Sequence, residues 1–307
     1  MTKLQDIAKQ LRHVIHGKQQ VVDYLLTALC SNGHVLVEDV PGVGKTTLAK
    51  ALAQTIHGDF HRIQFTPDLL PTDIVGGQIY SPGSGHFTFR PGPIFCNILL
   101  GDEINRASPR TQSALLEAMN ERQVTTEGHT HQLDQPFMVI ATQNPIEYHG
   151  TYPLPEAQLD RFAMQLEMGY PNAQQEIDII QQQRQYHPLA DVKPVASLED
   201  IVELQTQVRN VDVEKTIVNY MTTIVRSTRA ESRLRLGASP RASLILYRNS
   251  QALALLRGRD YVIPDDVKEL AIPTLAHRLV LQNKAVYAGT SKEDIISDIL
   301  NNTGVPI

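Results

Sequence analysis

The stretch Asp39-Val40-Pro41-Gly42-Val43-Gly44-Lys45-Thr46-Thr47 constrains this chain more than any other. It follows the apolar run His34-Val35-Leu36-Val37 and leads into Leu48-Ala49-Lys50-Ala51-Leu52-Ala53, so the order is strand, glycine loop, helix. Gly42 and Gly44 let the backbone turn its N–H groups inward on an anion, and the helix that follows adds the positive end of its dipole. Residues Pro41, Gly42, Val43, Gly44, Lys45, Thr46 and Thr47 then make a phosphate cradle. Lys45 would reach the β- and γ-phosphates of a nucleotide, and the Thr46 hydroxyl would ligate Mg2+. Asp39 stands where the pattern G-x-x-x-x-G-K-[ST] has its first glycine. Asp tolerates a left-handed backbone, but a carboxylate beside phosphates is unfavourable unless it points away or pairs locally.

With 307 residues the chain is long enough for two domains or one large one. A net charge of −5 gives no overall bias toward nucleic acid or anionic lipid. Cys30 and Cys96 lie in apolar contexts without metal-ligand spacing and read as two buried thiols, which suits a reducing compartment. The start of the chain lacks the apolar core of a signal peptide, and no run approaches the length of a membrane span, so a cytoplasmic protein is expected.

Helical spacing is clear over residues 4–16 and from Gln19 to Cys30; the turn Val14-Ile15-His16-Gly17 between them reads equally as a connector or, through Ile15, as a seat for adenine. After the loop helix come a strand over residues 60–65 and a short helix from Leu69 to Val75, with Thr66-Pro67-Asp68 as its start signal. Residues 76–90 read as a β-hairpin inserted into an α/β alternation, and 123–133 as a second one. The apolar strand Ile98-Leu99-Leu100 ends in Gly101-Asp102-Glu103, which puts two carboxylates beside the phosphate loop if the strands neighbour each other in a parallel sheet. Asp102 would hold Mg2+ and Glu103 would polarise an attacking water. A further buried strand, Pro136 to Thr142, ends near Asn144, whose amide could orient that water or merely form an Asn-Pro turn. Leu154 to Arg161 reads as a short helix, and beyond Tyr170-Pro171-Asn172 the pattern is helical, with no convincing strands and with helix starts at Ser197, Asp212, Ser239 and Ile263. Arg241 heads a helix over residues 242–256, a place where the dipole disfavours an arginine kept only for structure.

In order along the chain, EDVPGVGKT, RIQFTPDLLPTDI, GDEINRASPRTQSALLEAMNE, ATQNPIEYHGTYPLPEAQLDRF, GASPRA and YVIPDDV together resemble the MoxR family of AAA+ ATPases over nearly the whole length. The resemblance implies an α/β fold: a P-loop NTPase base with a parallel five-stranded sheet and β-hairpin inserts over residues 1–169, then an α-helical lid over 170–307, with nucleotide between them. It implies Walker A at Lys45 and Thr46, Walker B at Asp102 and Glu103, sensor one at Asn144, the arginine finger at Arg161 and sensor two at Arg241. It also implies ATP and Mg2+ as ligands, ring hexamers with ATP between subunits, hairpins turned to a central pore or to substrate, and a chaperone-like action on protein clients, with a von Willebrand factor A domain protein as a further partner.

Two other readings stand beside an ATP-hydrolysing remodelling ring. A nucleic-acid motor is disfavoured by the acidic net charge and by hairpin tips almost without positive charge. A nucleotide-gated scaffold without turnover has no need of Glu103, Asn144 and Arg161.

Overall fold

The computed structural model describes residues 3–83, 85–144, 151–182 and 188–306. Helices α1 (Lys3–Val14) and α2 (Gln19–Cys30) lead into β1 (Val35–Glu38), α3 (Lys45–Thr55), β2 (Phe60–Gln64), α4 (Pro71–Val75) and the hairpin strands β3 (Gly76–Ser81) and β4 (His86–Pro91). There follow β5 (Ile98–Asp102), α5 (Pro109–Glu121), the hairpin β6 (Gln123–Thr126) and β7 (His129–Gln132), β8 (Met138–Gln143), α6 (Glu156–Leu159) and β9 (Met164–Leu166). The remainder comprises α7 (Ala173–Gln182), α8 (Leu198–Val208), α9 (Lys215–Ala230), β10 (Leu234–Leu236), α10 (Pro240–Leu256), α11 (Pro264–Leu275), β11 (Val280–Leu281), α12 (Asn283–Tyr287) and α13 (Lys292–Asn302).

Five strands form a parallel sheet in the order β2-β5-β8-β1-β9. Their apolar runs are buried on both faces: Val35, Val37, Ile98, Leu100 and Ile140 belong to one core cluster, while the alternating Leu36, Leu99, Val139 and Ala141 belong to another. Continuous apolar strands covered on both sides are what a parallel sheet requires. The first cluster does not stop at the sheet. It runs through α1, α2 and α3 into Ile201, Leu253, Leu270 and Ile295 of the helical half, with α2 packed on α8 and α10.

Three expectations are corrected by local chemistry. Helix α4 begins at Pro71 rather than at Leu69, because a residue before proline is pushed out of the helical region; Leu70 is extended (φ −92°, ψ 154°) and Pro71 takes the first helical position. Asp212 starts no helix: its N–H donates to the Asp260 carbonyl at 2.8 Å and its carbonyl accepts from Val262 N at 3.0 Å, so α9 starts only at Lys215. The helical half also contains a short antiparallel pair, β10 with β11. Helix α2, the Ser197 and Ser239 caps and both hairpins stand where the sequence put them. Ser84 of the first hairpin tip and residues 145–150 of the quoted ATQNPIEYHG stretch lie outside the described residues.

The β3–β4 hairpin closes tightly at its base, where a Cβ at Gly76 would stand 2.2 Å from the Arg90 carbonyl oxygen at a backbone φ of +86°. The hairpins are joined by Phe89 stacking on His131 (ring centroids 3.8 Å apart, planes at 11°). Tyr80 and Phe87 pair on the exposed part of the first hairpin, with centroids 5.3 Å apart. Cys30 and Cys96 are unpaired and buried, and burial pushes both thiols up to about 12. No helix of the described residues is long and apolar enough to cross a membrane.

In the helical half one carboxylate organises the α10–α11 connection. Asp266 is fully buried and accepts from Ile263 N (3.0 Å), Arg257 Nη1 (3.1 Å) and both Nη atoms of Arg259 (2.8 and 2.6 Å). Removing one side of such a buried pair strands the other, though both guanidinium groups retain some access to water. Asp266→Ala should therefore lower unfolding free energy by about 3 kcal/mol, as measured in urea titrations.

Candidate functional site

At the end of β1 the Asp39 carboxylate turns away from the loop it precedes. One oxygen accepts from Val40 N (2.8 Å); the other accepts from Met168 N (2.6 Å) and Gly169 N (2.7 Å), just past β9. The Asp39 carbonyl meanwhile accepts from Lys45 Nζ (2.9 Å). The residue that departs from the usual loop pattern thus ties the loop to the neighbouring strand and steers the lysine, with its charge spent on backbone amides. Gly42 and Gly44 have φ of +86° and +97°, and a Cβ at Gly42 would meet nothing within 4 Å, so backbone conformation rather than space demands glycine there. Gly44 caps α3 with no side-chain acceptor, leaving the first amides of the helix directed at the loop.

The neighbouring strand ends complete a cavity of about 400 Å³, lined by Gly42, Gly44, Lys45 and Thr46 with Arg62, Gln64, Asp102, Glu103 and Asn144. Asp102 accepts from Thr142 Oγ1 (2.6 Å) and from Arg62 Nη2 (2.7 Å). Glu103 is left-handed (φ 57°), donates its N–H to Thr142 Oγ1 (2.9 Å) and accepts on Oε2 from Gln64 Nε2 (2.7 Å) and Arg106 Nε (3.1 Å). Asn144 is buried at the rim. The site offers amide and ammonium donors on one side and the Thr46 hydroxyl with the Asp102 carboxylate on the other. That donor set fits a polyphosphate with Mg2+, which binds through one or two protein oxygens and keeps several waters.

Sequence reading missed Arg62, Gln64 and Thr142. The first two alternate about buried Ile63 on β2, and the third is a buried polar residue at the tip of β8; polar positions at the carboxyl ends of adjacent parallel strands are the signal that finds them. Ile15 is buried in the core and does not line the cavity, nor, among the described residues, do Val43, Thr47 or any residue beyond Asn144.

Arg161 and Arg241 are brought together elsewhere. They line a second cavity, of about 230 Å³, with Arg122, Arg248 and His34, and among the described residues no carboxylate lines it. Arg161 lies two residues past α6, rather than within a helix, and donates to the Leu116 carbonyl (2.8 Å); Arg241 donates to Asn120 Oδ1 (2.7 Å). His34 directly precedes β1, whereas the phosphate loop follows it, so the two cavities lie at opposite ends of a four-residue strand, roughly 13 Å long.

The family model for the ATPase family associated with various cellular activities (AAA) matches residues 34–164, and the AAA lid domain model matches 226–299. Chaperone MoxR1 of Mycobacterium tuberculosis is 45% identical over 97% of this chain and 81% of its own. The chain belongs to the MoxR family of AAA+ ATPases. An uncharacterized protein, YeaC of Bacillus subtilis, is 52% identical over 97% of this MoxR-family chain and 93% of its own length. A solved structure of a candidate ATPase from Cytophaga hutchinsonii superposes with a TM-score of 0.92 at 39% identity, covering 99% of this chain and 95% of that one. The matched AAA segment contains the phosphate-loop cavity and Arg161; the lid segment contains Arg241 and Arg248.

Two measurements follow from this geometry. Asp39→Gly restores the usual loop glycine but strands the Met168 and Gly169 amides, so it should lower stability by about 2–3 kcal/mol in denaturant titrations instead of improving the loop. His34 is buried and neutral: Nε2–H donates to the Met119 carbonyl (2.9 Å), and Nδ1 accepts from Val139 N (2.9 Å). Burial, with Arg122 and Arg241 adding to it against the pull of the Met119 carbonyl, lowers its pKa from 6.5 to about 4. The unfolded chain then binds a proton that the folded chain refuses. His34's contribution is full above pH 6.5 and is lost as pH falls toward 4, by roughly 3 kcal/mol. Buried His277 shifts the same way, so in His34→Gln the loss of stability between pH 6.5 and 4 should shrink without vanishing.

Proposed function

We propose that this chain is a Mg2+-dependent ATP hydrolase that remodels protein clients, and that it works as a ring, with a hexamer expected, in which each active site is shared by two subunits. The observation that carries the reading is the placing of a phosphate cradle and an acid-free arginine cavity at opposite ends of β1. One chain cannot bring both to one phosphate chain, whereas a head-to-tail neighbour can, and heterologous contacts of that kind close into rings. A base over residues 1–169 and a lid over 170–307 fit this scheme, the first contributing the cradle and Arg161, the second Arg241.

In this reading the amides of the Gly42–Gly44 turn and Lys45 bind the β- and γ-phosphates, and Thr46 and Asp102 hold the cation. Mg2+, when bound with the nucleotide, supplies charge neutralisation at the phosphate oxygens. Thr142 fixes Asp102 and the Glu103 backbone at once, so the metal-side and water-side carboxylates keep their spacing. Gln64 and Arg106 orient Glu103, which takes a proton from the attacking water, and Asn144 orients that water. Arg161 and Arg241 of the adjoining subunit meet charge that develops on the γ-phosphate. The net charge of −5 and hairpin tips almost without positive charge support a polypeptide rather than a nucleic-acid client.

Steady-state ATP hydrolysis against protein concentration tests the reading. Specific activity should rise with concentration, Glu103→Gln should abolish turnover while still binding ATP, and Arg161→Ala should lose about 10³-fold in rate. Turnover indifferent to concentration and to Arg161→Ala overturns the shared site; parental turnover no faster than Glu103→Gln overturns hydrolysis itself.

A further inference from the structure

The residue immediately before Arg161 joins the two halves of the chain. Asp160 accepts from Ser239 Oγ at 2.9 Å on each carboxylate oxygen and from Arg278 Nε at 3.0 Å. Ser239 is the cap of α10, accepting from Ala242 N at 3.2 Å, and Arg241 follows it by two residues. Arg278 is only 3% exposed. It donates further to the Thr274 and Phe162 carbonyls, and the neighbouring His277 reaches the Phe162 carbonyl at 3.3 Å. Burial pulls Arg278 down to about 10 against the opposing pull of Asp160, so this guanidinium depends on that one carboxylate. The far ends of the two cavity arginines also share a support: Leu116 and Asn120, which receive Arg161 and Arg241, are one turn apart on α5, roughly 6 Å along its axis. Both guanidinium groups are thus held against one turn of α5, on the wall of one cavity.

We propose that Asp160 is a positioning residue: through Ser239 and Arg278 it fixes the backbone origins of Arg161 and Arg241 relative to each other, so that two arginines from different halves of the chain act on a neighbour's γ-phosphate as one preset pair. The proposal rests on the shared-site reading. A bond network that merely cements the two halves would hold stability but would have no defined effect on a neighbouring subunit, and that difference is measurable.

The experiment mixes variants in one assembly. Asp160→Asn alone should lower kcat about tenfold or more with KM within twofold, the pattern of an interaction realised in the transition state. Mixed one to one with Glu103→Gln, which has a dead hydrolytic site but intact arginines, activity should rise above either variant alone, because Glu103→Gln subunits lend their arginines to the hydrolytic sites of Asp160→Asn subunits. Arg161→Ala mixed with Glu103→Gln is the control. If that control recovers activity and the Asp160→Asn mixture does not, Asp160 is structural and the proposal falls. If neither mixture recovers, the shared site falls and the proposal with it. Should Asp160→Asn fail to fold, Ser239→Ala takes its place: lost kcat that returns in Ser239→Thr and in the mixture with Glu103→Gln supports the positioning role, and parental kcat in Ser239→Ala overturns it.

Discussion

Parallel pairing of the five central strands is the constraint on which the rest depends. Because every strand runs the same way, every carboxyl end lies on one edge of the sheet, and groups distant in sequence are gathered there. Asp39 ends β1, Asp102 and Glu103 end β5, Gln64 ends β2, and Thr142 with Asn144 ends β8. The opposite edge receives what precedes the strands: His34 before β1, and Arg161 and Ala163 before β9. A phosphate-seeking edge and an arginine-rich edge follow from direction of travel before any side chain is considered in detail.

Much of this was legible in the chain itself, for identifiable reasons. Glycines in a strand–loop–helix context, carboxylates after an apolar strand and serines before helices are local signals, and the loop, α2, both hairpins and the caps of α8 and α10 stand where those signals place them. What escaped depends on partners far along the chain. Thr142 contacts Asp102 and Glu103 across about forty residues, and only its place at the carboxyl end of an apolar strand, shared with Gln64 and Asp102, marks it out. Arg241 reads from the chain only as an arginine heading a helix; its place beside Arg161 follows from contacts of the start of α10 with residues 120 and 160. The late start of α4 is legible in Leu70-Pro71, which carries its own backbone rule.

Asp39 shows how a departure from a motif can be absorbed by the surrounding fold. The consensus glycine gives the loop freedom of conformation; here the carboxylate replaces freedom with attachment, anchoring the loop to the amides beyond β9 and leaving its own carbonyl to Lys45. The loop is thereby held in shape from behind, by the backbone amides of Met168 and Gly169 just past β9.

The apolar core that runs unbroken from the sheet through α2 into α8, α10 and α11 carries a mechanical consequence. Opening a cleft between the sheet-bearing and helical halves would expose fully buried side chains such as Leu25, Leu29, Leu253 and Leu270, at roughly 25 cal/mol for each Å² of apolar surface wetted. In the ring proposed above, the soft joints would then be its seams. Strain raised at one seam would cross a stiff block to reach the next, so the unit that moves would be the stretch from one nucleotide to the following one, made of a whole subunit, and stroke length would be set by how blocks roll on each other instead of by how far any one of them bends.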